Sequence, residues 1–338
     1  MDAGRLSWRC HLAGLFGAGA LLIVVGLLSL RYGVLRVDVA TVWDAVWHYD
    51  RNNQSQVVVR ELRVPRTIIG ILAGAGFAVA GALTQGVTRN PLGSPGILGT
   101  NAGAAFAVVT AIYSAGITTP AGYVWFAFAG ALGATVLVYL VASAGASGPT
   151  PVKLALAGAV ISALLGSWTA ALLLLDLETL DQARFWLAGS LSGRGTEEVE
   201  LLLPVVAVAL AAALCMGRQV NALSLGEEMA TGLGQRTALV RATAGLCVVA
   251  LAGSAVAMAG PVAFVGLAVP HIVRSVLGPD YRWIILYSAL LGPCMLLGAD
   301  IVGRLIISPA ELQVGIVSAA IGAPFLIYLV RGTKLAQL

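Results

Sequence analysis

Charged residues are scarce in this chain, at 11% of its 338 positions, and only two of them are lysines. Soluble domains carry about 25% charged residues. Hydrophobic residues reach 59% here, which leaves too little polar surface for a protein surrounded by water. The composition therefore excludes an ordinary soluble domain and predicts a protein that crosses a membrane several times.

Residues typical of catalytic and metal sites are also few. The three histidines, at positions 11, 48 and 271, have no second ligand at metal spacing. The four cysteines lie far apart, so they give no indication of zinc or of a disulfide framework. The GxxxxGK[ST] motif that binds ATP phosphates is absent from the sequence. The chain is therefore predicted to be no enzyme and to hold no cofactor, so that any use of ATP and Mg²⁺ belongs to a partner polypeptide.

Long charge-free runs are the main feature that is present, and each is long enough to cross the hydrocarbon core of a bilayer. The predicted spans are 12–30, 67–88, two within 90–152, 154–175, 199–217, one or two within 242–273, 283–303 and 312–330. The first run lacks a clear cleavage site, so it is predicted to be a retained helix and not a signal peptide. The fold class is all-α, with about ten transmembrane helices in one domain over residues 1–338.

Three polar stretches, 31–66, 176–200 and 218–238, separate these spans and allow the orientation to be predicted. With ten spans and a cytoplasmic N-terminus, eleven Lys and Arg fall on the cytoplasmic side and nine on the other. Six of the nine belong to 31–66, and outside that stretch the ratio is eleven to three. Because positive charge favours the cytoplasmic side, both termini and 218–238 are predicted there, and 31–66 and 176–200 on the opposite side.

Two polar segments contain local structural signals. Residues 89–96 hold two prolines and two glycines, which a continuous helix cannot tolerate, and Asn90 is placed to bond the backbone ahead of Pro91. Residues 224–227 read Ser-Leu-Gly-Glu, the Ser-x-x-Glu pattern of a helix capping box. The helix that it predicts is limited to about two turns by Gly232 and Gly234. Such a short helix is unstable alone, which favours docking onto another surface; the alternative is a solvated connector.

Several segments together resemble a known family. They are 62–66, 89–99, 101–103, 154–158, 223–234, 260–267, 269–271, 299–304 and 321–325. Over nearly its whole length the chain is similar to the permease subunits of bacterial ATP-binding-cassette importers for ferric siderophores, vitamin B12 and haem. The resemblance implies a vitamin-B12-permease-like fold in the bacterial cytoplasmic membrane. It also implies a second permease subunit around a central path, two ATPase subunits, and a soluble or lipid-anchored substrate-binding protein.

The resemblance implies a docking site for that binding protein. Arg63 and Arg66 match arginines that pair with acidic residues of the binding protein, and Arg304 matches a third. Arginine suits this role because its planar fork holds a carboxylate in a fixed geometry. The alternative for Arg304 is a helix-end pair with Asp300, four residues earlier.

A gate and a coupling segment are implied in the same way. Asn90 and Leu92 match residues of a cytoplasmic gate, and the predicted gate includes Thr150 and Pro151, in a turn where relatives vary. The alternative for Asn90 is a purely structural turn. The residues that match helices resting on the ATPases are Ser224, Leu225, Gly226, Glu227, Glu228, Ala230, Leu233 and Gly234.

The cargo is the least specific part of the resemblance. Segments 88–91, 181–191, 224–226 and 325–331 look most like ferric-catecholate, enterobactin-type permeases, which pair with a similar but non-identical subunit. A ferric siderophore and a heterodimer are therefore implied, with cobalamin or haem as alternatives. Iron would arrive inside its chelator, so no metal ligands and no nucleic-acid partner are expected. The competing class is an ion-driven secondary transporter, which usually needs charged relays inside its spans; here the spans are almost free of charge before Asp300.

Overall fold

The computed structural model of the chain describes residues 8–33, 36–144 and 150–332, and this part is helical without any β-strand. The all-α prediction is confirmed. The helices are α1 (Trp8–Arg31), α2 (Val39–Trp47), α3 (Gln54–Val57), α4 (Val64–Thr88), α5 (Thr100–Ala115), α6 (Pro120–Ser143), α7 (Pro151–Leu175), α8 (Leu177–Leu187), α9 (Thr196–Cys215), α10 (Gly217–Ser224), α11 (Glu227–Gly232), α12 (Thr237–Ala259), α13 (Val265–Leu277), α14 (Tyr281–Ile306) and α15 (Val314–Gly332).

The predicted spans coincide with ten of these helices. Within the described residues, seven segments are long and apolar enough to cross a membrane: α1, the helix ending at Thr88, α6, α7, α9, α12 and α14. The shorter α5, α13 and α15 pack against them, α5 on α6, α13 on α4 and α14, and α15 on α14. The region 242–273 contains two helices, because Gly260 and the residues after it break the chain between α12 and α13.

Small residues bring α4 into the centre of the bundle, where it packs against α12, α13 and α14. A Cβ on Gly81 would lie only 1.7 Å from the carbonyl oxygen of Gly266 at the start of α13. A Cβ on Gly74 would lie 2.6 Å from Cα of Pro293 in α14. Both positions therefore require glycine, as is common where transmembrane helices approach closely.

The predicted boundary at residue 67 was wrong. Helix α3 runs through one π-helical turn, Val58–Arg63, into α4, so that a single helical segment of 35 residues extends over Gln54–Thr88. The predicted span began only after the last arginine, because it was drawn from the charge-free run alone. The helix continues through them because Arg63 and Arg66 have acceptors inside the protein, described below.

Two ends of the bundle can be distinguished, because α4 and α14 run antiparallel. Arg66 contacts Asp300 at one end, and Arg274 joins Gln85 to Tyr281 at the other. We call these the arginine end, which holds Arg63, Arg66 and Arg304, and the coupling end, which holds α10 and α11. Which end faces the cytoplasm stays a prediction.

Candidate functional site

Arg66 lies at the centre of a buried ion network at the arginine end. Its Nη2 donates to Oδ1 of Asp300 at 2.7 Å, its Nε lies 3.1 Å from Oδ2 of the same residue, and its Nη1 donates to Oε2 of Glu311 at 2.8 Å. Asp300 is also paired with Arg304, with 3.0 Å between Nη2 and Oδ2. The alternative considered for Arg304, a pair with the carboxylate four residues earlier, is therefore present. One buried carboxylate serves two arginines, and Glu311 balances the second charge.

Arg63 and Arg304 also donate hydrogen bonds to carbonyl groups at the C-terminal end of helix α1. Arg63 Nη1 donates to the carbonyl oxygens of Leu30 and Arg31, both at 2.8 Å. Arg304 Nη1 donates to the carbonyls of Ser29 at 3.0 Å and Tyr32 at 2.7 Å. The last carbonyls of a helix lack intrahelical donors and carry partial negative charge, so two guanidinium groups satisfy and stabilise this end.

The predicted docking residues are thus together in space but turned inward. Arg63 and Arg304 are buried, and their guanidinium groups are occupied by α1 and Asp300. The side chain of Arg66 is mostly buried as well, although it lines a cavity at this end. A docking role for the three stays a prediction. Their geometry makes them internal ties between α1, α4 and α14 in the conformation described.

At the coupling end, the predicted capping box was wrong. Ser224 is the last residue of α10, and its hydroxyl donates to the carbonyl of Asn221 at 2.7 Å, so it cannot cap the next helix. Gly226 precedes α11 and provides no side-chain cap, at a φ of 118° that only glycine adopts readily. The predicted length of α11 is confirmed, since it ends at Gly232 and Gly234 follows at a φ of 79°.

Three apolar side chains are exposed within and beside α11. Leu225, Met229 and Leu233 are spaced four residues apart and are 68%, 58% and 66% exposed, whereas Ala230 is fully buried against the rest of the protein. Met229 lies within α11, whereas Leu225 caps the end of α10 and Leu233 caps the end of α11. Exposed apolar stripes with polar surroundings mark interaction surfaces. We call these three residues the α11 stripe.

Two acidic residues beside the stripe differ in their contacts. Glu227 accepts from Arg241 of α12, with 2.9 Å between Oε2 and Nη2, and thereby ties α11 to a membrane-spanning helix. Glu228 is exposed and has no hydrogen-bond or ion-pair partner among the residues that the structure describes. Only Glu228 is therefore available for a contact with another protein.

Helix α10 is anchored to the start of α14. Asn221 Nδ2 donates to Asp280 Oδ1 at 2.7 Å, and its Oδ1 accepts from the backbone N–H of Tyr281 at 2.7 Å. Arg282 donates to the same carboxylate, with 2.6 Å between Nη2 and Oδ2. Partial burial opposes ionisation of Asp280, but the hydrogen bonds from Arg282 and Asn221 outweigh it and lower the pKa of Asp280 to about 2. The carboxylate is therefore charged at neutral pH.

The predicted gate residues lie in two separate turns. Arg89, at a φ of 51°, ends α4, and Asn90 Oδ1 accepts from the N–H of Leu92 at 2.9 Å, which is the structural turn considered for Asn90. Thr150 Oγ1 accepts from the N–H of Lys153 at 3.3 Å and caps α7, which begins at Pro151. In the described part of the chain, no hydrogen bond joins the two turns. A gating role for these four residues stays a prediction.

The structure also identifies residues that no sequence motif marks as functional. Glu311 lies 245 positions from Arg66, and Arg194 lies 71 positions from its partner Tyr123, so no local motif could connect them. For Glu311, the one available signal was a charge just before an apolar run. Among the described residues, no group of three His, Cys, Asp or Glu is placed to hold a metal ion.

Known proteins share this sequence and this arrangement of helices. The FecCD transport family matches residues 21–332. The ferric enterobactin transport system permease protein FepD of Escherichia coli (strain K12) is 44% identical over 313 residues, 92% of this chain and 92% of that protein. The iron(3+)-hydroxamate import system permease protein FhuB of Bacillus subtilis (strain 168) is 42% identical over 315 residues, 93% of this chain and 82% of that protein.

A solved structure supports the same assignment. It is described as an inward-facing conformation of a metal-chelate type ABC transporter. It is 29% identical in sequence, and the match covers 94% of this chain and 99% of that one with a TM-score of 0.82. The family match extends over most of the chain, including the arginine end, α10 and α11. The chain belongs to the FecCD transport family, as a multi-pass membrane permease of the ABC-importer type.

Proposed function

We propose that this permease carries a ferric siderophore across the bacterial cytoplasmic membrane, driven by ATP that separate subunits hydrolyse. Two matched relatives are named for ferric enterobactin and for iron(3+)-hydroxamate. The shared chemistry of these cargoes is Fe³⁺ inside an organic chelator. A ferric siderophore is therefore the supported class, and a catecholate chelator is the finer part of the proposal.

The observation that carries the proposal most directly is the α11 stripe. Three apolar side chains are exposed at one end of the bundle, within and beside α11, which is held to the rest of the protein by Ala230 and by the Glu227–Arg241 pair. A helix of six residues is too short to be stable alone. Its docking onto an ATPase subunit would cover the stripe and let movement of that subunit pass through α10 to α14.

The proposed assembly contains partners at both ends. A second, similar but non-identical permease subunit completes the central path, and two ATPase subunits with ATP and Mg²⁺ lie at the coupling end. A substrate-binding protein delivers the chelate at the arginine end. Both chain termini then lie in the cytoplasm. ATP binding and hydrolysis open the two ends in turn, with residues 176–194 at the outer opening and the turn at Asn90 and Leu92 at the inner one.

Uptake of radioactive iron tests the cargo. Cells with and without this gene would receive iron as a ferric catecholate, a ferric hydroxamate or ferric citrate, at equal iron concentration. Loss of uptake for one siderophore, restored by the gene, is the expected result, and loss for the catecholate alone would also support the finer proposal. Unchanged uptake of every iron chelate, with loss of cobalamin or haem uptake, would overturn the ferric cargo and assign those molecules instead.

A further inference from the structure

A cavity of about 460 Å³ opens at the arginine end, beside the Arg66 network. Its walls come from the start of α4, from the end of α8 and the residues after it, and from the connection between α14 and α15. The lining side chains that matter here are Arg66, Gln182, Trp186, Ser190, Arg194 and Glu311. A volume of this size lies within the range of small-molecule sites.

Arg194 is buried in the cavity wall without a counter-charge. It is 6% exposed. Its Nη1 donates to the hydroxyl of Tyr123 at 2.6 Å, and its guanidinium lies 5.3 Å from the centre of the Tyr123 ring. Its Nε has no hydrogen-bond partner, and no carboxylate within 4.0 Å pairs with it, in the part of the chain that the structure describes. Removing a charge from water without an opposite partner is costly.

A second donor in the same wall is also unsatisfied. Trp186 is 3% exposed, and its indole Nε1 has no acceptor among the described residues. The ring is held edge-on against Tyr123, with 6.2 Å between the ring centres. An indole N–H can only donate. Both unpaired nitrogens are enclosed by protein atoms, so the feature of this wall that faces a ligand is the uncompensated charge of Arg194.

The neighbouring arginines, unlike Arg194, have carboxylate or carbonyl partners that compensate their charge. Arg66 and Arg304 share Asp300, and Glu311 gives Arg66 a second carboxylate. Arg63 is satisfied by two carbonyl oxygens of α1. Glu311 also lines the cavity, but Arg66 neutralises it. Among the described residues that line the cavity, Arg194 is therefore the charged residue without an oppositely charged partner.

We propose that this cavity binds an anionic oxygen group, with the unpaired charge of Arg194 as its counter-charge. Gln182 and Ser190 add polar groups that can orient the ligand. An anionic oxygen of a metal chelate, on a catecholate, hydroxamate or carboxylate group, is the source that the proposed function supplies, and the assignment to that source rests on it. A free inorganic anion has the same chemistry and is the other source.

The test is calorimetric titration of the purified full-length chain in lipid nanodiscs, with citrate and inorganic phosphate as separate probes at low salt. We expect citrate to bind. Arg194→Gln should weaken binding about 10-fold to 100-fold, since hydrogen bonds to charged groups contribute about 1.5–3 kcal/mol.

The matched control is Arg184→Gln, because Arg184 forms an exposed pair with Asp181 at 3.1 Å and does not line the cavity. It should bind citrate like the wild type, and gel filtration would confirm that all variants are folded. Citrate binding stronger than phosphate binding supports the chelate as the source, and equal binding with the same Arg194 dependence supports a free anion. No binding of either probe, or binding indifferent to Arg194→Gln, would overturn the site. The titration needs no ATPase and no uptake, so it succeeds or fails separately from the transport proposal.

Discussion

The arginine end and the coupling end use charged side chains in different ways. At the arginine end, Asp300 is buried between Arg66 and Arg304, and each guanidinium is further held by a carboxylate or by helix-end carbonyls. At the coupling end, the Glu227–Arg241 pair is half in solvent and the α11 stripe is bare. The same residue types therefore hold helices together at one end and leave a surface for a partner at the other.

Burial decides what each charge contributes. In low-dielectric surroundings an ion network is strongly coupled, and removal of one member leaves uncompensated charge. An exposed pair is screened and contributes little. The comparison predicts that substitutions at the arginine end change stability first, and that substitutions on the outer face of α11 change assembly without changing stability.

The largest effect is expected for Asp300→Asn. This change leaves Arg66 and Arg304 buried with only Glu311 as a carboxylate, and should cost about 3–5 kcal/mol of unfolding free energy. Thermal unfolding of the purified chain in detergent, together with its abundance in membranes, would measure this. Asp181→Asn is the control, because it removes a carboxylate from an exposed pair and should leave both quantities nearly unchanged. Equal effects of the two substitutions would contradict the expected difference between a buried and an exposed carboxylate.

A smaller, pH-dependent effect is expected at Asp280. Its pKa is lowered from 3.8 to about 2 in the folded protein, so its contribution to stability is present above pH 4 and is lost as the pH falls from about 4 to 2. Because the side chain is partly exposed, we expect Asp280→Asn to cost about 1 kcal/mol at neutral pH after solvent screening. Unfolding of wild type and variant from pH 7 down to pH 3 should show the difference shrinking. A difference that stays constant would contradict the ionised role.

The smallest stability effect is expected for Glu227→Gln. Its exposed pair with Arg241 should be worth about 0.2–1 kcal/mol, less at high salt. Glu228→Gln removes the same charge from a residue with no polar partner among those described, and serves as the matched control with no expected change in stability. Equal destabilisation by the two variants, measured by thermal unfolding at low and high salt, would remove the tie between α11 and α12.

The positions of most transmembrane helices could be predicted from the sequence, because a long charge-free run is what a segment buried in a membrane requires. The prediction ended a span at residue 67 and missed the continuous helix from Gln54, since a window that counts charges cannot see that Arg63 and Arg66 have internal acceptors. The Ser224 capping box failed for a related reason. The motif is local, but whether Ser224 ends one helix or begins the next depends on how α10 is anchored to Asp280.

The site was predictable only in part. Motif resemblance identified the arginines and the α10–α11 segment, but it could not show that Arg63 and Arg304 point inward. The partners Glu311 and Arg194 are brought to the arginine end by contacts over long sequence distances. The α11 stripe is a case between the two, because its apolar residues are visible in the sequence, whereas their exposure depends on how α10 and α11 pack against the rest of the protein.

Co-purification of an ATPase with the tagged chain tests directly whether the α11 stripe docks onto an ATPase subunit. Met229→Glu places a charge in the middle of the α11 stripe without touching the buried face of the helix. We predict that the wild-type chain and Asp181→Asn, which changes an exposed residue away from α10 and α11, retain the ATPase. Met229→Glu should lose at least nine-tenths of it at unchanged membrane abundance and unfolding temperature, because burial of an unpaired carboxylate is costly. Full retention of the ATPase by Met229→Glu would contradict the assignment of this surface to the motor subunits.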